Sequence, residues 1–262
     1  MNPQTKQPAQ GSASAHRALV LIPSYNTGAL VVQTVAAARA QWQPVWVVID
    51  GSTDGSERAL RDRFADDSDV TILRLTANSG KGSALLVGME KALELGYTHV
   101  LTMDADGQHP AELIRPFMSS SRAQAGAMIL GVPVFGTDAP TLRTNGRKIS
   151  NWWANLETLW AGVDDSLFGF RVYPIALLVN IMHKHRWMRR FDFDVEAVVR
   201  LYWRGVQPIS LCAPVRYLSA EEGGVSHFNY VRDNVLLTWM HMRLFAEFLV
   251  RLPWLLFRRN RY

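Results

Sequence analysis

The chain has 262 residues, of which 48% are hydrophobic and 19% charged, which suits one large α/β domain or two small ones with a sizeable core. The single cysteine, Cys212, excludes an internal disulfide and a cysteine-cluster zinc site. The formal net charge of +5 favours anionic partners, and nucleotide, lipid phosphate and nucleic acid all qualify.

Residues 1–17 are polar and carry no apolar segment of the secretory type, so we predict a disordered lead-in. Strands and helices then alternate, and this alternation predicts an α/β fold with a doubly wound, mostly parallel sheet. The expected strands are Ala18–Pro23, Val45–Ile49, Val70–Leu75, Thr98–Met103 and Ala127–Val134. The expected helices are Leu30–Ala40, Glu57–Ala65 (with Ser56 as N-cap), Ser83–Leu95 and Ala111–Ala123.

Polar loops follow the strands at their carboxyl ends. Ligands of open α/β sheets bind at that edge. We therefore expect the loops that contain Tyr25, Asp50, Lys81 and Asp104 to converge on one crevice, although they are far apart in sequence.

Two aspartates, Asp104 and Asp106, stand one residue apart directly after an apolar strand, and Gln108 follows. Carboxylate and amide oxygens suit a hard cation such as Mg²⁺ or Mn²⁺ that also contacts phosphate. The alternative is a strand followed by an Asp-rich helix cap.

A nucleotide would need a seat for its base and ribose and a close approach to its phosphates. Asp50 can accept a hydrogen bond from a base or a ribose hydroxyl, or it can hold its own turn. Gly80 and Gly82 let the backbone and Lys81 approach a phosphate. The spacing is not that of a Walker loop, and the first strand is not followed by the glycine pattern of a nicotinamide site.

Four motifs in order resemble those of family 2 glycosyltransferases with the GT-A fold, particularly the dolichol- or polyprenyl-phosphate mannosyltransferase type. They are Ile22–Asn26, Val47–Ser56, Asn78–Gly82 and Met103–Pro110. Asp165–Arg171 and Phe193–Gly205 extend the resemblance, which covers about Ala18 to Phe228.

The resemblance implies an inverting hexosyltransferase with a UDP- or GDP-sugar donor and Mg²⁺ or Mn²⁺. It implies a nucleotide-sugar site of Pro23, Tyr25, Asn26, Asp50, Lys81, Asp104 and Ala105, and a metal site of Asp104, Asp106 and Gln108. We expect a nucleotide-sugar half at 18–135, an acceptor half at 136–228 and a helical tail at 229–262.

Arg143 and Arg147, with Lys148, are candidates to bind an acceptor phosphate, as arginines do in the resembled group. A solvated helix start is the alternative. We expect the nearby Trp152, Trp153 and Trp160 to pack in the core.

Asp192, Asp194 and Glu196 alternate in one short segment, and one of them could act as general base on an acceptor hydroxyl. We favour Asp194, with Asp192 as the second candidate. An acceptor that is already a phosphate would need no base, and these acids would then bind sugar hydroxyls or basic side chains.

The chain departs from the resembled pattern at several positions. Glu221 and His227 stand in a loop that could close over the donor, where the family pattern has arginine and lysine. Thr27, Ile49 and Phe168 also differ. These changes leave the donor site intact but weaken the match to a polyprenyl-phosphate acceptor, so a glycolipid or aryl-polyene-type lipid stays open.

The segment Asn234–Phe257 is long enough to span a bilayer, but Arg243, Glu247 and Arg251 would then lie near its middle. We therefore predict an amphipathic helix in the membrane interface, with its arginines on headgroup phosphates. The alternative is a helix packed on the domain or in a homo-oligomer. The expected location is peripheral, on the cytoplasmic face of the inner membrane.

Two other functions are consistent with the same sheet. A sugar nucleotidyltransferase would need a glycine- and arginine-rich first loop, which Ile22–Asn26 does not supply. A non-enzymatic peripheral membrane protein would bind liposomes but no nucleotide. Nucleic acid is not expected as a partner, because the basic residues cluster with aliphatic ones rather than along an aromatic platform.

Overall fold

The computed structural model describes residues 16–134, 141–215 and 230–259, and of residues 141–145, 230 and 231 it describes the backbone alone. The predicted alternation of strands and helices is confirmed through β5. The strands are β1 (Ala18–Ser24), β2 (Val45–Asp50), β3 (Val70–Leu75), β4 (His99–Thr102), β5 (Met128–Val134), β6 (Arg171–Pro174) and β7 (Pro208–Pro214).

These strands form a seven-stranded sheet in the order β3-β2-β1-β4-β6-β5-β7. Strand β6 is antiparallel to both of its neighbours, β4 and β5, and the other pairings are parallel. The prediction of a mostly parallel, doubly wound sheet is therefore confirmed. Because β1, β2 and β4 run side by side in the same direction, their carboxyl ends lie at one edge.

The helices are α1 (Leu30–Gln41), α2 (Ser56–Arg63), α3 (Lys81–Glu94), α4 (Ile114–Ala123), α5 (Thr141–Glu157), α6 (Ile175–Lys184), α7 (Phe193–Trp203) and α8 (Tyr230–Arg259). They form two apolar layers, one on each face of the sheet. Leu19 and Leu21 of β1 join the layer that contains α3, α6 and α7, whereas Val20 and Ile22 join the layer of α1, α2 and α4. This division follows the two-residue period of a strand.

Two local expectations were wrong. Ser56 is the first residue of α2 rather than its N-cap, because Gly55 takes the cap position in the left-handed conformation and the Ser56 hydroxyl donates to Asp54. The helix expected from Ala111 begins instead as a short 3-10 turn, and the α-helix starts at Ile114.

Helix α8 packs against α5 and α7. Met240, Leu244 and Phe248 of α8 are buried in the same apolar layer as α7. Within the described residues, no helix has the length and apolar character needed to cross a membrane.

Candidate active site

Hydrogen bonds tie together the loops that follow the carboxyl ends of β1 and β2. The backbone N–H of Thr53 donates to the Asn26 side chain over 2.8 Å, and the N–H of Asn26 donates to the Ser52 hydroxyl over 3.0 Å. Tyr25 lies half-buried beside them. The first two loops of the predicted crevice are therefore one connected unit.

Asp50 joins this unit to the start of α3. It is buried, and its two carboxylate oxygens accept the backbone N–H groups of Ser79 and Gly80 over 2.7 and 2.8 Å. Asp50 thus holds the glycine loop in place, which differs from the self-contained turn that we gave as the alternative role. Whether it also contacts a nucleoside stays a prediction.

Lys81 connects the glycine loop to two carboxylates. Its ammonium lies 2.7 Å from Oδ1 of Asp104 and 2.8 Å from Oδ2 of Asp194. Burial lowers the pKa of Lys81, but the two carboxylates outweigh burial and the pKa is raised. Burial raises the pKa of Asp104, but Lys81, together with His109 and Arg171, outweighs burial and the pKa is lowered.

The glycines around Lys81 permit close approach of another chain segment. A Cβ added to Gly80 would lie 2.4 Å from the carbonyl oxygen of Arg189, and one on Gly82 would lie 2.5 Å from that of Met188. The Arg189 carbonyl also accepts the N–H of Ser83. The segment before α7 therefore packs directly on the start of α3, and this contact brings Asp194 to Lys81.

Arg171 supplies a second positive charge beneath the site. This fully buried side chain donates to Tyr173 and to the backbone carbonyls of Asp165 and Asp194. Its Nε has no hydrogen-bond partner among the described residues. Arg171 comes from β6, so the antiparallel strand places a cation between the two halves of the sheet.

His109 and Gln108 shape the aspartate loop. The N–H of Asp104 donates to Nδ1 of His109 over 3.0 Å, and the N–H of Gln108 donates to Asp106 over 3.0 Å. Burial lowers the pKa of His109, so its imidazole is neutral. Gln108 and His109 also line a cleft of about 470 Å³ that extends along α1.

The described residues of this loop fit a divalent cation. Asp104, Asp106 and Gln108 offer carboxylate and amide oxygens, and burial together with the charge of Asp104 raises the pKa of Asp106. Within the described part of the chain, no group of three or more His, Cys, Asp or Glu is arranged to hold a metal ion.

The three alternating acids face different surroundings. Asp194 contacts Lys81, and its other oxygen is buried without a hydrogen-bond partner among the described residues. Asp192 precedes α7, accepts the N–H of Arg190, and burial raises its pKa to about 6. Glu196 points toward α8 and pairs with Arg200 and Arg243.

Arg147 of α5 pairs with Asp165 over 2.7 Å. Asp165 also accepts the N–H groups of Leu167 and Phe168 and thereby fixes the turn that leads to β6. The side chain of Arg143, and the loop Glu221–His227, lie outside the described residues. The roles predicted for them and for Arg147 stay predictions.

The expectation that the three tryptophans pack in the core was wrong for two of them. Trp152 and Trp160 are 50% and 58% exposed. They contact each other edge to face at the surface, while Trp153 packs between Trp152 and Phe245 of α8. Helical spacing alone does not show which side of α5 the adjacent α8 covers.

The profile of Glycosyl transferase family 2 matches residues 19–193, which contain the strands and loops described above. The chain belongs to glycosyltransferase family 2. It is 30% identical over 230 residues to polyprenol monophosphomannose synthase of Mycolicibacterium smegmatis, covering 85% of this chain and 83% of the relative. It is 27% identical over 221 residues to undecaprenyl-phosphate mannosyltransferase of Micrococcus luteus, covering 79% and 86%.

Solved structures show the GT-A fold of this glycosyltransferase. Glucosyl-3-phosphoglycerate synthase of Mycobacterium tuberculosis, in complex with Mn²⁺, UDP-glucose and phosphoglyceric acid, superposes with a TM-score of 0.58 at 16% identity, covering 90% of this chain and 79% of that one. S. aureus TarS with UDP-GlcNAc superposes with a TM-score of 0.55 at 15% identity, covering 89% and 71%.

Sequence reasoning about this glycosyltransferase assigned no role to Gly169, Arg171 or His109. A Cβ on Gly169 would lie 2.6 Å from the Lys81 ammonium and 2.7 Å from Oδ2 of Asp104, so the glycine makes room for this ion pair. An arginine inside an apolar strand was the available signal for Arg171, since a buried charge requires partners.

Proposed function

We propose that this family 2 glycosyltransferase moves a hexose from a UDP- or GDP-sugar to a lipid-linked acceptor, with inversion at the anomeric carbon. The acceptor class is polyprenyl phosphate, with glycolipid or aryl-polyene-type lipid as the alternative. The observation that carries the proposal is the meeting of Lys81, Asp104 and Asp194 at the carboxyl edge of the sheet, beside Asp106. One of the relatives quoted above is named as a synthase of polyprenol monophosphomannose, and the other as an undecaprenyl-phosphate mannosyltransferase.

The donor side of the site fits a nucleotide diphosphate. Lys81 is the first residue of α3, so a helix N-terminus and an ammonium group point to the same place. Asp104, Asp106 and Gln108 would hold Mg²⁺ or Mn²⁺. When bound, this cation neutralises charge on the diphosphate as the nucleotide leaves.

The acceptor determines whether a base is needed. With a phosphate acceptor, one of its oxygens bonds to the anomeric carbon as the bond from that carbon to the diphosphate breaks, and no proton must move. Arg147 and Arg143 of α5 are the candidates to hold such a phosphate. With a hydroxyl acceptor, the oxygen of Asp194 that has no hydrogen-bond partner among the described residues would take the proton.

The surface of α8 supports a lipid partner and a peripheral membrane location on the cytoplasmic face of the inner membrane. Its two acidic residues face the protein: Asp233 is buried, and Glu247 pairs with Arg200. Its opposite face exposes apolar side chains, at Val235, Trp239, Met242, Leu249, Val250, Trp254, Leu256 and Phe257. Arg258 and Arg259 add positive charge at the carboxyl end of α8, although Arg258 donates to the carbonyls of Tyr202 and Trp203 and Arg259 to that of Leu159.

The arginines of α8 do not all behave as the sequence suggested. Arg243 pairs with the buried Glu196, and Arg251 contacts Glu247. Arg243 and Arg251, which we expected to lie on headgroup phosphates, therefore face the domain, because the buried Glu196 and Arg200 require charged partners there.

Metal-dependent nucleotide binding tests the donor part of the proposal. UDP or GDP with Mn²⁺ should raise the melting temperature of the chain, and Asp106→Ala should weaken this binding at least about tenfold because it removes a cation ligand. Asp66→Ala, which changes an exposed carboxylate, is the matched control. Equal nucleotide binding by Asp106→Ala and the control, both folded, would remove the aspartate loop from the donor site.

A further inference from the structure

Lys81 occupies the space between the first aspartate of the loop and the acid of α7. Its side chain is 10% exposed, and its ammonium touches both carboxylates. A flexible surface lysine would leave Asp104 open to solvent cations. In this structure the ammonium group of Lys81 already pairs with Asp104.

Three glycines enforce this placement. Gly80 and Gly82 let the 188–189 segment approach the start of α3, and Gly169 leaves the volume that the Lys81 ammonium and Asp104 fill. The packing of three segments therefore holds the lysine at Asp104, and its side chain is 10% exposed.

The charges show what the lysine does. The ammonium of Lys81 pairs with the carboxylates of Asp104 and Asp194 over 2.7 and 2.8 Å, and with no other carboxylate of the described residues. The carboxylate of Asp106 is therefore the one in the loop that Lys81 leaves to an incoming cation. A bare divalent cation would find one available carboxylate and an ammonium group close by, and the like charges repel.

We propose that Lys81 is an internal counter-cation that keeps a bare metal ion off Asp104 and makes the cation enter together with the nucleotide diphosphate. The diphosphate offers the lysine new oxygen partners and releases Asp104 to the metal. Lys81 is thus a positioning residue that couples the two ligands. This inference rests on the proposed function.

The test compares binding of Mn²⁺ alone with binding of Mn²⁺ in the presence of saturating UDP or GDP, followed by loss of the free-ion magnetic resonance signal. In the wild type, nucleotide should strongly increase the affinity for Mn²⁺. In Lys81→Gln, bare Mn²⁺ should bind about tenfold more tightly or better, because Asp104 is freed, and the increase caused by nucleotide should shrink about tenfold. Merely structural damage would lower the affinity for the bare ion instead.

Lys91→Gln is the matched control, since it removes an exposed lysine of the same helix that pairs with Glu94. Lys81→Met, which fills the same space with an apolar group, is measured in parallel and should show the same rise. Unchanged or weaker bare Mn²⁺ binding in the folded Lys81 variants, with normal coupling in the wild type, overturns the inference alone. Failure of the wild type to bind any nucleotide with Mn²⁺ overturns the proposed function itself.

Discussion

At the scale of single residues, Gly169 shows how a backbone position controls the chemistry of the site. It lies between the turn fixed by Asp165 and the strand that carries Arg171. Its backbone needs no left-handed conformation, so the requirement for glycine comes from space alone: the ion pair of Lys81 and Asp104 fills the volume of a side chain.

We expect Gly169→Ala to separate Lys81 from Asp104. The added methyl group would cost about 1–3 kcal/mol of stability by overpacking, and nucleotide binding with Mn²⁺ should weaken at least about tenfold. Gly126→Ala is the control, since a Cβ there meets no atom within 4 Å. Calorimetric titration with UDP or GDP and Mn²⁺ measures the effect. Binding as tight as that of the control would show that the ion pair can shift without loss.

Asp192 gives a prediction about pH. Burial raises its pKa from 3.8 to about 6 in the folded protein, so the folded state holds more protons than the unfolded state between those values. The contribution of Asp192 to stability is therefore present below about pH 4 and falls as pH rises to about 6, by up to ~3 kcal/mol.

Asp192→Asn should abolish this loss while an amide oxygen still accepts the N–H of Arg190. The free energy of unfolding of the variant relative to the wild type should rise between pH 4 and pH 7, as measured by urea denaturation at each pH. A difference that stays constant across this range would show that Asp192 titrates normally.

At this scale the sequence predicted which residue types lie at the strand ends, because parallel strands bring their carboxyl ends to one edge. It did not predict their partners. Both carboxylate oxygens of Asp50 accept hydrogen bonds from the glycine loop. Gly80 and Gly82 contact the 188–189 segment, whereas the sequence suggested that they are open to a phosphate. Such contacts depend on how segments that are distant in sequence pack together, and the spacing of residues within one motif does not show which other segment it will contact.

At the scale of elements, α7 and α8 are joined by a buried ionic network. Glu196 is fully buried and accepts from Arg200 and Arg243, and Arg200 in turn donates to Glu247. Glu196 and Arg200 of α7 pair with residues of α8, whereas Asp194, the third charged residue of α7, contacts Lys81. The network sets the position of α7, and hence of Asp194 at its start.

Removing the central acid should therefore destabilise the protein. Glu196→Gln leaves two arginines short of a carboxylate, and we expect a loss of about 3 kcal/mol in the free energy of unfolding, the low end for a broken buried pair because Glu247 still pairs with Arg200. Glu94→Gln breaks the exposed pair with Lys91 and should change stability by less than about 1 kcal/mol. Similar unfolding midpoints for the two variants would contradict the network's role.

The sequence predicted that α8 is an amphipathic helix, but periodicity gives the angle between two faces and not which face meets the protein. Arg243 and Glu247 of α8 face inward because they pair with Glu196 and Arg200 of α7. The helices packed against α8 determine which of its faces points inward. Because α7 is far from α8 in sequence, the pattern within α8 alone does not show this.

At the scale of the whole molecule, α5 connects the turn that leads to β6 with the exposed apolar face of α8. Helix α5 carries Arg147, which pairs with Asp165 of that turn, and Trp152 at the surface, and its Trp153 packs on Phe245 of α8. A buried chain of Ser150, His241 and Glu157 also links the two helices. In the proposed function, a lipid acceptor bound at the α8 surface would lie beside α5, the helix that carries Arg143 and Arg147.

This arrangement predicts binding to anionic bilayers through the exposed face of α8. The wild type should sediment with phosphatidylglycerol vesicles and less with neutral ones, since apolar burial and arginine charge both contribute. The double variant Trp239→Glu and Val250→Glu places two acids on side chains that are 50% and 83% exposed, so the fold should tolerate it and vesicle binding should fall at least about tenfold. Leu95→Glu, at a 50% exposed leucine just after α3, is the matched control and should bind as the wild type does. The membrane role would be contradicted if the wild type did not bind vesicles but formed a dimer, and if the double variant were a monomer. This face of α8 would then bind a second copy of the chain.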